Sequence, residues 1–143
     1  MKIKVIDYGY EKLPFRAHEN DAGADVHAKI PGKPGELGSI IIWPHETVKI
    51  PLGVGLILPD GYAAYVFPRS GLSAKGITCE LPPIDSGYRG EIHAIVTNCG
   101  NEPYKVSNGD RIGQLVITPV VIADFVVEDI KERGDNGFGS TGI

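Results

Sequence analysis

The sequence has few of the residues that announce familiar chemistry. It holds two cysteines, one methionine and one tryptophan. There is no CxxC pair, so neither a zinc ribbon nor a dithiol redox centre is expected. There is no GxxxxGK(S/T) loop and no HExxH, which removes the P-loop and zincin classes. No run of ~18 apolar residues occurs, so no membrane-spanning helix is expected. Met1-Lys2-Ile3-Lys4-Val5 alternates charged and apolar residues and lacks the apolar stretch of a signal peptide. Basic residues are not in excess: 14 Lys and Arg face 18 Asp and Glu, for a net charge of −4. That balance supplies no field to gather a nucleic-acid backbone, so nucleic acid is not expected as a partner. Repeats, heptads and low-complexity tracts are missing too. Cys79 and Cys99 each sit in a strand-like stretch and are expected as buried free thiols rather than a disulfide. These features read as a cytoplasmic, single-domain protein.

Glycine and proline are plentiful, at 19 and 11 of 143 residues. Long helices cannot tolerate that density, whereas short strands joined by tight turns can. Strand-like runs lie at Lys2–Asp7, Ser39–Trp43, Glu46–Ile50, Val54–Leu58, Tyr62–Phe67, Gly90–Asn98 and Arg111–Val116. Ile117–Val127 is rich in β-branched residues. Pro59-Asp60-Gly61 is a turn sequence, so the runs on either side of it are expected to form a hairpin. Only Leu72–Lys75 and the stretch around Val127–Glu132 have room for a turn or two of helix. The expected fold is all-β, a jelly-roll-like sandwich or barrel. The domain should end near residue 132. Residues 133–143 are glycine-rich, cannot bury a core face, and read as a flexible arm.

Five clusters could carry chemistry. Asp21-Ala22-Gly23-Ala24-Asp25-Val26 places two carboxylates about a glycine; they could touch a divalent ion, but two are few for Ca²⁺. Pro68-Arg69-Ser70-Gly71-Leu72 turns sharply after a strand. It offers a guanidinium fork and a hydroxyl to phosphate oxygens, or is a solvated turn. In Ile84-Asp85-Ser86-Gly87-Tyr88-Arg89-Gly90-Glu91 the carboxylate of Asp85 could serve as a base and Tyr88 as a platform for a sugar or base. Asp-Ser-Gly is equally a common turn. Gln114, in Gly109-Asp110-Arg111-Ile112-Gly113-Gln114-Leu115, lies among apolar neighbours, where its amide needs either a core partner or a ligand. Gly137-Phe138-Gly139-Ser140-Thr141-Gly142 matches GxGxxG, but no helix follows it as a dinucleotide fold requires. Its amides could wrap a phosphate, or the segment is a polar tail. Phe138 favours the former, because a solvated tail gains nothing from an aromatic ring.

Taken together and in this order, the five segments resemble the five motifs of the trimeric dUTPase family, from about Asp21 to the C-terminus. The third and fifth motifs are the most specific. The resemblance implies hydrolysis of dUTP to dUMP and pyrophosphate by a homotrimer with Mg²⁺ as cofactor and active sites shared between subunits. It implies that Asp85 orients and deprotonates the water attacking the α-phosphorus. A carboxylate is a weak base, so positioning must supply much of the effect. Tyr88 would stack on deoxyribose and leave no space for a 2′-hydroxyl. The hairpin before Asp85 would take uracil through main-chain groups. Ser70 would contact the leaving pyrophosphate, with Arg69 and Gly71 beside it, and Gln114 would hold the α-phosphate or the nearby water. Arg133, Gly139, Ser140 and Thr141 would close on the γ-phosphate end, and Phe138 would cover uracil. Asp25 would reach Mg²⁺ through water.

The chain departs from the family pattern in places. Pro82 stands where glycine is usual three residues before Asp85, followed by Pro83, which removes a main-chain donor from the uracil hairpin. Gly113 replaces a common alanine, and Ala24 replaces an aromatic. Lys29–Ser39 reads as a loop insertion. Two other readings of the same motifs are a dCTP deaminase-like or bifunctional relative, with Glu80 as the base-site acid, and a dUTP-binding regulatory protein. The presence of Asp85, Tyr88 and the complete fifth motif favours hydrolysis.

Overall fold

A computed structural model describes residues 1–129. Arg133, Phe138, Gly139, Ser140 and Thr141 lie outside the described residues. Ten strands and one short helix follow in the order β1 (Lys4–Asp7), β2 (Ala24–His27), β3 (Ser39–Ile42), β4 (Thr47–Pro51), β5 (Val54–Ile57), β6 (Tyr62–Phe67), α1 (Ser70–Ser73), β7 (Ile77–Cys79), β8 (His93–Asn98), β9 (Tyr104–Ser107) and β10 (Arg111–Pro119). All pairings are antiparallel: β1 with β5, β2–β10–β6, β3 with β9, and β4–β8–β7. The all-β jelly-roll expectation holds. Among the described residues no helix is long and apolar enough to cross a membrane.

Small sheets with partners distant in sequence enclose one core. Val26, Ile42, Ile50, Leu52, Val54 and Val96 are buried at its centre. Alternation positions them. In β8, Ala94, Val96 and Asn98 point inward, while His93, Ile95 and Thr97 face outward. Asn98 is the polar exception. Its amide nitrogen donates to the carbonyls of Ile42 (2.9 Å) and Glu102 (2.8 Å), and its oxygen accepts from the Gly100 amide (2.9 Å). The turn after β8 is thus tied to β3 from inside the core.

Several expectations need correction. Val54–Ile57 and Tyr62–Phe67 do not form a hairpin, because β5 pairs with β1 and β6 with β10. Pro59-Asp60-Gly61, with Gly61 at φ +83°, is a corner between sheets instead. The β-branched run after β10 is not a strand: β10 stops at Pro119, and residues 120–129 have no regular structure. Val127–Asp129 therefore holds no helix, and the helical turn near Leu72 begins two residues early, at Ser70. Both cysteines are free, but only Cys79 is buried. Asn98 points inward at the end of β8, which leaves Cys99 just past it on the outside.

Burial pushes the Cys79 thiol up to about 11, with the neighbouring Glu80 carboxylate adding to the effect. A thiol so protonated is a poor nucleophile at neutral pH. A thiol-titrating reagent at pH 7.5 is expected to find one reactive group per chain in the native protein and two after denaturation. Rapid reaction of both in the native state would contradict the burial of Cys79.

Candidate active site

The residues singled out from sequence fall into two groups. The first is built on β2, β10 and the end of β6. Asp25 lies opposite Gln114 in the β2–β10 register, and Gln114 lies opposite Phe67 on the other side. The Asp25 carboxylate is held between two guanidinium groups, Arg69 Nε at 3.7 Å and Arg111 Nη1 at 3.3 Å, and its side chain is 17% exposed. Gln114 Nε2 donates to the carbonyl of Pro68 at 3.0 Å, so its side-chain oxygen remains available to a ligand. Gly23 makes room for that amide: a Cβ there would lie 2.4 Å from Gln114 Oε1. Ser70 and Gly71 follow, both exposed, at the start of α1. A Cβ on Gly71 would meet nothing within 4 Å, so packing does not account for that glycine.

Arg111 escaped the sequence reading, and a β-bulge explains its place. Between Gly113↔Val26 and Arg111↔His27 the register shifts by one residue, with Ile112 extra. Regular alternation would put Ile112 on the face of Gln114. The bulge turns Ile112 into the core, where it is 2% exposed, and brings Arg111 to Asp25. Beside this cluster His27 is buried and stacks on Phe15 with ring centroids 6.1 Å apart. Its Nδ1 has no partner among the described residues. Burial holds its pKa below the ordinary histidine range, and Lys12 reinforces that. Asp21, the other acid of this segment, is not part of the cluster: its carboxylate accepts from the His18 amide and closes a local turn.

The second group is the turn after the bridge between Ala64 and Ile84, whose amides and carbonyls exchange bonds of 2.8 and 3.1 Å. Asp85 is exposed. Tyr88 donates its amide to the Asp85 carbonyl (3.1 Å) and its hydroxyl to the Glu91 carbonyl (2.9 Å), so the ring lies back over Gly90. A Cβ at Gly90 would lie 2.4 Å from the Tyr88 hydroxyl, which explains that glycine. Arg89 Nη1 donates to the Ser86 carbonyl, and Ser86 Oγ donates to Asp60. Tyr88 borders a recess of about 180 Å³ shared with Lys49, Glu80, Pro82, Ile84 and His93. Asp85 lines a different recess, with Tyr62, Tyr65 and Ile122. In the stretch Glu80–Ile84, the amides of Glu80 and Ile84 are spent on Ile95 and Ala64. Pro82 and Pro83 have none. One main-chain donor, Leu81 N–H, is left for a ligand there, beside several carbonyls.

The two groups do not meet within one chain. Ile84 is anchored at Ala64, three residues before the end of β6, and Ser70 lies three beyond it. Three strand residues alone span about 10 Å. Among the described residues no hydrogen bond links Asp85 or Tyr88 to Asp25, Arg69, Ser70 or Gln114. No group of three or more His, Cys, Asp or Glu side chains that could hold a metal ion occurs among the described residues either. A lone carboxylate fits an ion carried by a ligand and met through water better than an ion caged by protein.

The family model described as dUTPase matches residues 10–142. A deoxyuridine 5′-triphosphate nucleotidohydrolase of Leifsonia xyli subsp. xyli is 44% identical over 92% of this chain and 86% of its own length. One from Ehrlichia canis is 41% identical over 99% of this chain and 95% of its own. Among solved structures, a dUTPase variant of Staphylococcus bacteriophage 80alpha with dUpNHpp superposes with a TM-score of 0.81 at 25% identity, covering 99% of both chains.

Proposed function

The chain belongs to the dUTPase family, and from that premise we propose that it hydrolyses dUTP to dUMP and pyrophosphate in the cytoplasm. Such an activity keeps uracil out of DNA and supplies dUMP. The observation that carries the reading is the Asp85–Tyr88 turn. It places an exposed carboxylate, which makes no hydrogen bond among the described residues, three residues from an aromatic ring whose hydroxyl is anchored.

In this mechanism Asp85 orients a water and takes its proton as the oxygen attacks the α-phosphorus. Pyrophosphate departs as the bond to its bridging oxygen breaks. Phosphoryl transfer is governed by positioning and charge neutralisation. Arg69, Ser70 and Gly71 receive the leaving group, and Gln114 holds the α-phosphate or the water through its free carbonyl oxygen. Tyr88 packs against the deoxyribose, where a 2′-hydroxyl would be crowded and left unpaired at a cost of about 1–3 kcal/mol. Asp25 is the residue that would face Mg²⁺ through water, and the ion, when bound with the triphosphate, would supply neutralisation of the phosphate charge. The Asp25 carboxylate, held by two guanidinium groups, keeps a fixed orientation for that contact.

The assembly is a homotrimer whose sites join the Asp85 group of one subunit to the Asp25 group of another. Two features support this: the separation of the groups within one chain, and an exposed apolar segment. Val121, Ile122, Phe125, Val126 and Val127 are each at least 81% exposed. Five such side chains in water favour a neighbouring subunit as cover. The division at residue 132 and the roles of Arg133, Phe138, Gly139, Ser140 and Thr141 fall outside the described residues and rest on the sequence and its family resemblance alone.

The test is product analysis with dUTP, dCTP, dTTP and UTP, in Mg²⁺ and in EDTA. The reading requires dUMP and pyrophosphate from dUTP alone, abolished by EDTA. Deaminated product from dCTP would move the chain to the deaminase class and give Glu80, in the recess beside Tyr88, a role. Tight dUTP binding without turnover would make it a binding protein.

A further inference from the structure

Tyr88 can discriminate between sugars only if its ring cannot retreat, and the backbone carrying it is tied down by residues outside the five motifs. The Glu91 carboxylate accepts the Gly53 amide at 2.9 Å and pairs with Lys29 Nζ at 2.6 Å. Lys29 Nζ also donates to the carbonyl of Tyr8 at 2.6 Å. The Tyr8 hydroxyl donates to the Arg89 carbonyl at 2.6 Å. Tyr8 is fixed in turn by its amide, which donates to the Gly53 carbonyl at 2.9 Å. Its ring runs over Gly55, where a Cβ would lie 2.9 Å from Tyr8 Cε2. The loop closes on itself: Arg89 to Tyr8, Tyr8 to Lys29, Lys29 to Glu91, and Glu91, through its own carbonyl, to the Tyr88 hydroxyl.

We infer that Lys29 and Tyr8 are positioning residues that hold the Tyr88 ring against the sugar and so set the preference for deoxyribose over ribose. The inference rests on the proposed dUTP hydrolysis. The two side chains touch neither Asp85 nor the Asp25 cluster in any hydrogen bond or ion pair described. Their loss therefore acts on sugar fit rather than on the attacking water. The Lys29–Glu91 pair is about three-quarters buried, with side-chain exposures of 23% and 21%. That shields it from the solvent screening that weakens surface pairs. A single ammonium bridging a carboxylate and a carbonyl fixes two chain segments at once. No apolar substitute does that.

The experiment measures kcat/KM for dUTP and for UTP in the wild type, Tyr8→Phe, Lys29→Met and Lys29→Arg, with thermal denaturation alongside. Tyr8→Phe and Lys29→Met are expected to lower the dUTP-to-UTP ratio about 5- to 10-fold, the effect of one lost hydrogen bond. Lys29→Arg should restore most of the ratio. A purely structural role would lower the melting temperature and leave the ratio unmoved, and that result overturns the inference while dUTP hydrolysis stands. Failure of the wild type to hydrolyse dUTP overturns both.

Discussion

Asp85→Asn is expected to lower kcat for dUTP by about three orders of magnitude while leaving KM within a few-fold of wild type. The magnitude follows from the role. Proton transfer by a positioned base contributes about 10²- to 10⁴-fold, and an amide of the same shape can still hold the water without accepting its proton. The stability of the variant should be nearly unchanged, because the Asp85 side chain makes no hydrogen bond among the described residues and lies exposed at a turn. Surface changes of that kind fall within roughly ±0.5 kcal/mol. Steady-state kinetics with a thermal melt on the same sample separates the cases. A loss in kcat below tenfold would place the base elsewhere. A loss of dUTP binding with a falling melting temperature would make Asp85 a structural residue.

The largest stability effect is expected at Asn98, far from either reacting group. Asn98→Leu keeps the branched shape at a larger volume but strands the carbonyls of Ile42 and Glu102 and the amide of Gly100. The buried Ile42 carbonyl costs about 1–3 kcal/mol when orphaned, and the partly buried Glu102 and Gly100 groups, which water can reach, cost less each. Allowing for partial relaxation and some entry of water, the sum is about 3–5 kcal/mol. For a chain of this size that corresponds to a fall in melting temperature on the order of 10 °C. Asn98→Asp should cost at least as much, since its carboxylate keeps only the Gly100 bond, cannot donate to the two carbonyls and buries a charge against them. Thr97→Ala, one residue away on the outer face, should cost least. Equal losses at all three would mean that β8 itself, rather than this hydrogen-bond set, limits stability. Folded Asn98→Leu is expected to turn over dUTP at the wild-type rate per site.

The grouping of the candidate residues was legible where it is local. Asp85 and Tyr88 lie on one turn, and Arg69, Ser70 and Gly71 lie on another. Gly90 on the first turn and Gly23 beside Asp25 mark close approaches with specific collisions, whereas Gly71 meets nothing. The strands with strong alternation were equally legible. β2 and β9 were not. The sequence marks the β2 segment only by Asp21 and Asp25 about Gly23 and gives no strand pattern, yet Ala24–His27 is a strand held between β10 and the Phe15 bridge. The false hairpin has the same origin. A turn sequence states that the chain reverses, but not which strand each arm pairs with. The connection from Lys29 to Glu91 joins two charges that no window of sequence brings together. The exposure of Cys99 follows from the inward aim of Asn98, and that became visible only with its three partners in place.

The extra residue in β10 makes the strand a ruler with one misprinted mark. Upstream of Ile112 the inside-outside beat is half a period out of step with the beat downstream. Any average over the strand blurs the two, and this is why the sequence pattern does not single out Arg111. The same offset makes the strand sensitive to length in a way that composition is not. Deleting Ile112 would bring the beat back into step and improve the ladder with β2 by any measure of regularity. It would also take from the core a side chain that is 2% exposed, or exchange it for a guanidinium that belongs beside Asp25. The irregularity is therefore what allows one continuous strand to serve the interior and the phosphate side together.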